Sequence, residues 1–141
     1  MDISFYTDDC NYRLPQKRLI RRWLREVAQQ EGGYEIAEIN YVFCSAERHR
    51  AMNIEFLGHD YFTDIITFDY CEGDKLSGDL FISVDSVREN SFEYGTEFSD
   101  ELNRVIVHGV LHLIGYDDHN DEDIAIMRQK ENYYLSLREL V

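Results

Sequence analysis

His108-Gly109-Val110-Leu111-His112-Leu113-Ile114-Gly115-Tyr116-Asp117-Asp118-His119 places three of the chain's five histidines and two carboxylates within twelve residues. His108 and His112 are four apart, so on a helix they stack on one face with roughly 5–6 Å between Cβ atoms. That is a workable span for two imidazoles to share one metal ion. Val105, Ile106, Val107, Val110, Leu111, Leu113 and Ile114 surround them on nearly every face, which predicts a buried helix. Buried imidazoles need partners, because each unpaired polar group costs a few kcal/mol, about 1–3 on protein scales. A shared metal satisfies both at once.

Gly115 follows His112 at the offset where the helix should end, since glycine takes a left-handed cap without a Cβ clash. The resulting reversal brings Asp118 toward the open side of the imidazole pair. Two histidines, a third nitrogen or oxygen ligand and an open fourth position make up a catalytic zinc site rather than a structural one. The offset from Gly115 favours Asp118 over His119 as the third ligand, because His119 would require a different turn. A plain buried helix with histidines bonded to backbone explains Gly115 but leaves the clustering unexplained.

The spacing HxxxHxxGxx(H/D) is that of the metzincin zinc peptidases, with one difference. In zinc peptidases the residue after the first histidine is a glutamate that acts as general base. Here it is Gly109, so a peptidase mechanism lacks its base on this helix.

The chain resembles the YbeY metal-dependent endoribonucleases, whose pattern reads H-G-x-L-H-L-x-G-Y-D-H. His108, Gly109, Leu111, His112, Leu113, Gly115, Tyr116 and Asp117 match it in position. A second family segment, roughly N-x-x-[FY]-R-x-x-D-x-P-T-D-V-L-S-F followed by G-D-[IL], has its counterpart in Asn53–Phe68 and then Gly78-Asp79-Leu80. The resemblance implies an endoribonuclease acting on ribosomal RNA during ribosome maturation. Three departures from the pattern bear on the chemistry. The third ligand, usually histidine, is Asp118, with His119 displaced by one. The arginine that is a candidate contact for a scissile phosphate is Leu57, and the proline is Phe62.

Composition limits the alternatives. The chain has 141 residues, 44% of them hydrophobic, enough for one domain with its own core. Cys10, Cys44 and Cys71 are odd in number and unpaired in spacing, which suits a reducing cytoplasm and argues against a disulfide frame or a disulfide-linked partner. No run of about 18 apolar residues is present, so no membrane span is expected, and the N-terminal residues do not read as a signal peptide. A single Pro15 and no Gly/Ser-rich linker argue against a second domain.

The net charge of −14 sits awkwardly with RNA, because phosphate binding relies on Lys and Arg. Arg18, Arg21, Arg22 and Arg25 nonetheless share a helix face opposite the apolar Ile20, Trp23, Leu24 and Val27. That stripe is read as a solvated face first and an RNA or ribosome contact second. Among 28 acidic residues, Asp60, Asp64 and Asp79 are candidate catalytic carboxylates against the plainer reading of surface or turn residues. Asp79 beside Gly78 reads as a turn residue. His59 is expected to be exposed, His49 lies in a charged run, and Tyr116 is expected to pack on the core.

Periodicity predicts strands at Ile3–Tyr6, Glu38–Cys44, Asp64–Tyr70 and Asp79–Val84, the last after a turn around Gly73–Gly78. Helices are predicted at Leu19–Gln30, after Ser45 through Phe56, and from Asp85 or Ser86 to Tyr94. Two more follow, one from a Ser99 cap through the histidines and one from Asn120 with Ile124, Met127, Tyr134 and Leu137 along one face. Strands interleaved with helices give an α+β fold: a small mixed sheet of about four strands, with the metal site on a buried helix and the turn after it. The expected function is a cytoplasmic endoribonuclease with one zinc ion held by His108, His112 and Asp118, cutting single-stranded RNA. The rivals are a non-catalytic metal-binding ribosome-assembly factor and a metallohydrolase of another substrate.

Overall fold

Alternation in Ile39, Tyr41 and Phe43 puts three large apolar side chains on one face of a strand, and all three are buried in β2 (Glu35–Cys44). The computed structural model describes residues 2–60 and 63–138, so Phe62 lies outside the described residues. β1 (Ile3–Thr7) and β4 (Lys75–Ser83) run parallel to β2 on either side, and β3 (Ile65–Asp69) pairs antiparallel with β4 at the edge. The sheet order is β1-β2-β4-β3. This is the mixed four-stranded sheet that the sequence predicts. In register, Tyr41 lies beside Leu80, and Phe43 beside Ile82, so one face forms a continuous apolar surface.

Among the described residues five α-helices complete the fold: α1 (Lys17–Gly32), α2 (Ala46–Met52), α3 (Val84–Tyr94), α4 (Phe98–Ile114) and α5 (Asp121–Leu137). Ile20, Trp23, Leu24 and Val27 of α1 are buried as the periodicity requires. Gly33 ends α1 at φ 69°, with its N–H donating to the carbonyls of Ala28 and Gln29. Ser45 caps α2 by accepting from the Arg48 N–H, and α2 runs on into a π-helical turn at Asn53–Leu57. Asn120 caps α5 by accepting from the Asp123 N–H. Two buried hydrogen bonds lock the layers. Trp23 Nε1 donates to the Tyr134 carbonyl at 2.8 Å, and Tyr41 Oη donates to the Ile106 carbonyl at 2.7 Å.

Several local expectations are corrected. β4 begins at Lys75, and Gly78 lies inside the strand rather than in a turn. A Cβ at Gly78 would stand 2.7 Å from the Phe68 carbonyl oxygen and 3.1 Å from Leu113, so close backbone approach explains this glycine. Asp79 accordingly fixes no turn; it accepts from Asn40 Nδ2 at 3.1 Å, across the strand pair. Ser99 is not the cap of α4, which starts two residues earlier than that cap implies, at Phe98 after Glu97, with no side-chain cap. Ser83 rather than Asp85 or Ser86 caps α3, accepting from the Ser86 N–H. The described cysteines are all free thiols. No described helix is long and apolar enough to cross a membrane.

Candidate metal centre and cleft

α4 carries Leu102, Val105, Ile106, Val107, Val110, Leu111 and Leu113 into the core, leaving one strip of the helix facing a cleft. Gly109 permits this depth. A Cβ there would run into the Leu80 side chain, itself fully buried, and would stand 3.2 Å from Ile65 Cδ1. The position where a zinc peptidase keeps its glutamate is thus the point where α4 meets the sheet. No side chain of that size fits.

The cleft has a volume of about 450 Å³ and is walled by β3, α3, α4 and α5. His108, His112 and Asp118 all line it, together with Asp64, Glu101 and Glu131. At the end of α4, Gly115 takes φ 128° and its N–H donates to the Leu111 and His112 carbonyls, while the Tyr116 N–H also reaches Leu111. The chain then turns back and sets the Asp118 carboxylate 3.6 Å from His108 Nε2. His112 sits one turn beyond His108 on the same strip. His119 points elsewhere, 77% exposed and 3.7 Å from Asp117.

The other face of the His108 ring is held by Glu131. His108 Nδ1 donates to Glu131 Oε2 at 2.8 Å, and Glu131 Oε1 accepts from Arg104 Nη1 at 2.9 Å. Only 7% of the Glu131 side chain is exposed. An ionised carboxylate accepts hydrogen bonds and donates none, so Nδ1 carries the proton of this bond and Nε2 is the nitrogen that faces Asp118. Burial works against charge on His108. The hydrogen bond and charge of Glu131, with Asp64 and Asp118 behind it, outweigh burial and hold its pKa above the ordinary value. Burial likewise opposes the Glu131 charge, and His108 and Arg104 outweigh it, so Glu131 stays below its usual range.

The donors suit a cation in kind: two imidazoles and a carboxylate are zinc ligands. The spacing of one pair also suits it. Two donors about 2.0–2.1 Å from a tetrahedral ion stand roughly 3.3 Å apart; His108 Nε2 and Asp118 Oδ2 are 3.6 Å apart, beyond a hydrogen bond. The pairing of a ring Nδ1–H with a buried carboxylate is the arrangement that orients a metal-binding histidine. Among the described residues no three such side chains yet converge on a single point.

Glu131 is the residue that sequence reasoning missed. It lies between Met127 and Tyr134 on the buried face of α5, where the spacing calls for an apolar side chain. A carboxylate in that slot was the available signal. Asp64 lines the cleft, whereas Asp60 is on the surface, 2.6 Å from Arg50, and Asp79 is tied to Asn40. Leu57 lines the cleft at the position of the family arginine. His59 is exposed as expected. His49, in contrast to its charged neighbours, is 1% exposed, with its Nε2 2.8 Å from the Phe81 carbonyl; burial lowers its pKa despite that bond. Tyr116 packs on the core and also donates to Glu31 at 2.5 Å.

Two members of the supposed basic stripe are engaged by β1 and the residue before it. Arg21 Nε donates to the Ile3 carbonyl at 2.8 Å, and Arg25 grips Asp2 with two hydrogen bonds. That removes the even row of free cations that the helical spacing implied.

Sheet, covering helix and cleft define an α+β domain with an open cleft beside the helix that covers the sheet. The solution structure of TM1509 from Thermotoga maritima has the same fold, with a TM-score of 0.68 and 28% identity, covering 96% of this chain and 88% of that one. A family model described as Endoribonuclease YbeY matches residues 2–138. A protein named Endoribonuclease YbeY from Bacteroides thetaiotaomicron is 45% identical over 98% of this chain and 100% of its own length. Another of that name from Cytophaga hutchinsonii is 48% identical over 96% of this chain and 95% of its own. The chain belongs to the YbeY endoribonuclease family.

Proposed function

We propose that this protein is a zinc-dependent, single-strand-specific endoribonuclease that acts in ribosomal RNA maturation, in the cytoplasm where ribosomes assemble. The observation that carries the reading is His108, held at Nδ1 by buried Glu131 and turned at Nε2 toward Asp118 in an open cleft. Family membership supplies the RNA substrate. His108, His112 and Asp118 hold one zinc ion in this account. When bound, zinc supplies Lewis acidity toward a phosphoryl oxygen and lowers the pKa of water toward about 7.

The chain's own groups do the rest. Glu131 and Arg104 fix the His108 ring. Asp64, whose charge reaches His108, accepts or returns the proton that the missing helix glutamate would handle in a peptidase. Gly109 counts against a peptidase, since it supplies no base and a side chain there would meet Leu80. The exposed apolar Leu57 in the cleft and the net charge of −14 favour a second reading, a metal-binding ribosome-assembly factor without catalysis.

The test is cleavage of matched single-stranded and duplex RNAs by purified protein, with and without a chelator. Nicking of the single strand alone, abolished by chelation and by His108→Ala, supports the nuclease. Full zinc occupancy with no cleavage of any RNA supports the assembly factor.

A further inference from the structure

Two arginines line the cleft, and they are not equivalent. Arg104 is committed: Nη1 donates to Glu131 at 2.9 Å and Nη2 to Asn132 at 2.7 Å. Arg128, three residues before Glu131 on α5, lines the same cleft with an exposed side chain. It forms no salt bridge among the described residues. Its charge is nevertheless felt within the cleft, at the Glu101 carboxyl.

Asp64, Glu101, Asp118 and Glu131 make the cleft acidic, which opposes entry of a phosphodiester. A polyanion enters such a cleft where a cation with free donors meets it, and a guanidinium presents several donors in a plane suited to two phosphate oxygens. Leu57 offers no such group. We propose that Arg128 is the phosphate-binding residue of the cleft, receiving the non-bridging oxygens of an RNA phosphodiester. The proposal rests on the ribonuclease reading above and names the residue by which the strand is held.

The test uses zinc-loaded protein and a fluorescent single-stranded 2′-O-methyl RNA, checked on a gel to stay intact, with affinity measured by anisotropy across a salt series. Arg128→Gln should weaken binding about tenfold at low salt. It should also flatten the slope of log affinity against log salt by about 0.7, the effect of one lost single-strand phosphate contact. Arg128→Lys should recover most of both. Lys75→Gln, an exposed lysine at the start of β4, should match the wild type. Wild-type affinity and slope in Arg128→Gln would overturn the assignment while leaving the ribonuclease reading intact, as would an equal loss in Lys75→Gln, which would reduce the effect to overall charge. Absence of RNA binding by the wild type would overturn both.

Discussion

The 2.8 Å hydrogen bond from His108 Nδ1 to Glu131 Oε2 joins the middle of α4 to α5 and fixes which nitrogen of the imidazole meets the cleft. Glu131 is 23 residues away in sequence yet sets the tautomer of the histidine that opens the motif. Glu131→Gln keeps the shape and loses the charge. It should lower zinc affinity about 10- to 100-fold, as loss of such carboxylate partners does, and competition against a chromophoric chelator measures it. Glu131→Ala should also cost stability, about 3 kcal/mol, because Arg104 loses its partner in a largely buried pair.

Gly109 makes a second prediction. Gly109→Ala should destabilise the fold by about 1–3 kcal/mol through overpacking against Leu80 and Ile65. Gly109→Glu should cost more and create no peptidase, which denaturant titration and a casein assay would check together. A Gly109→Glu protein as stable as the wild type would show that α4 and the sheet do not meet as closely as described.

Glu31 ties Tyr116, in the motif's turn, to α1 and should make stability depend on pH. Burial pushes its pKa up, but hydrogen bonds from Tyr116 and Tyr134 and the Lys130 ammonium at 3.1 Å outweigh burial, leaving it below the ordinary 4.5. A carboxylate with a depressed folded pKa adds stability above its unfolded pKa and loses it as pH falls through the folded value. Glu31→Gln should therefore be less stable than the wild type at neutral pH, by about 1–3 kcal/mol. The gap should narrow below pH 4.5. Thermal unfolding from pH 3 to pH 7 reads this directly. Because Tyr116 lies two residues before Asp118, the variant should also bind zinc more weakly.

The α1 arginines should matter little to RNA. Arg18→Gln with Arg22→Gln should leave the salt dependence of RNA affinity unchanged, since half of the row is already taken up by Asp2 and the Ile3 carbonyl. A slope flattened by about 0.7 per arginine on single-stranded RNA would restore that face as an RNA contact.

These residues also mark what the sequence makes legible. The α4 histidines, Gly115 and Asp118 lie within one local motif, so the helix end at Gly115 and the chain reversal after it are readable from that spacing, while the cleft they line is made by β3, α3 and α5 as well. The strands and helices follow from alternation and caps, including Ser45 and Asn120. Glu131 is not readable in the same way, because an acid among 28 looks like surface until its slot between Met127 and Tyr134 is taken seriously. Gly78 misleads for a related reason. Glycine marks turns by its backbone freedom, but here Phe68 and Leu113 leave no space for a side chain, and that is a tertiary fact. The Arg21 and Arg25 contacts likewise depend on β1 lying beside α1, which helical periodicity cannot reveal.

The central claim is that His108, His112 and Asp118 hold one zinc ion, and metal stoichiometry by mass spectrometry tests it most directly. Wild type and His119→Ala should each carry about one zinc per chain after purification and dialysis. His108→Ala, His112→Ala and Asp118→Ala should carry little, while circular dichroism shows them folded. An empty His119→Ala beside a filled Asp118→Ala, or full occupancy in His108→Ala, would contradict the account.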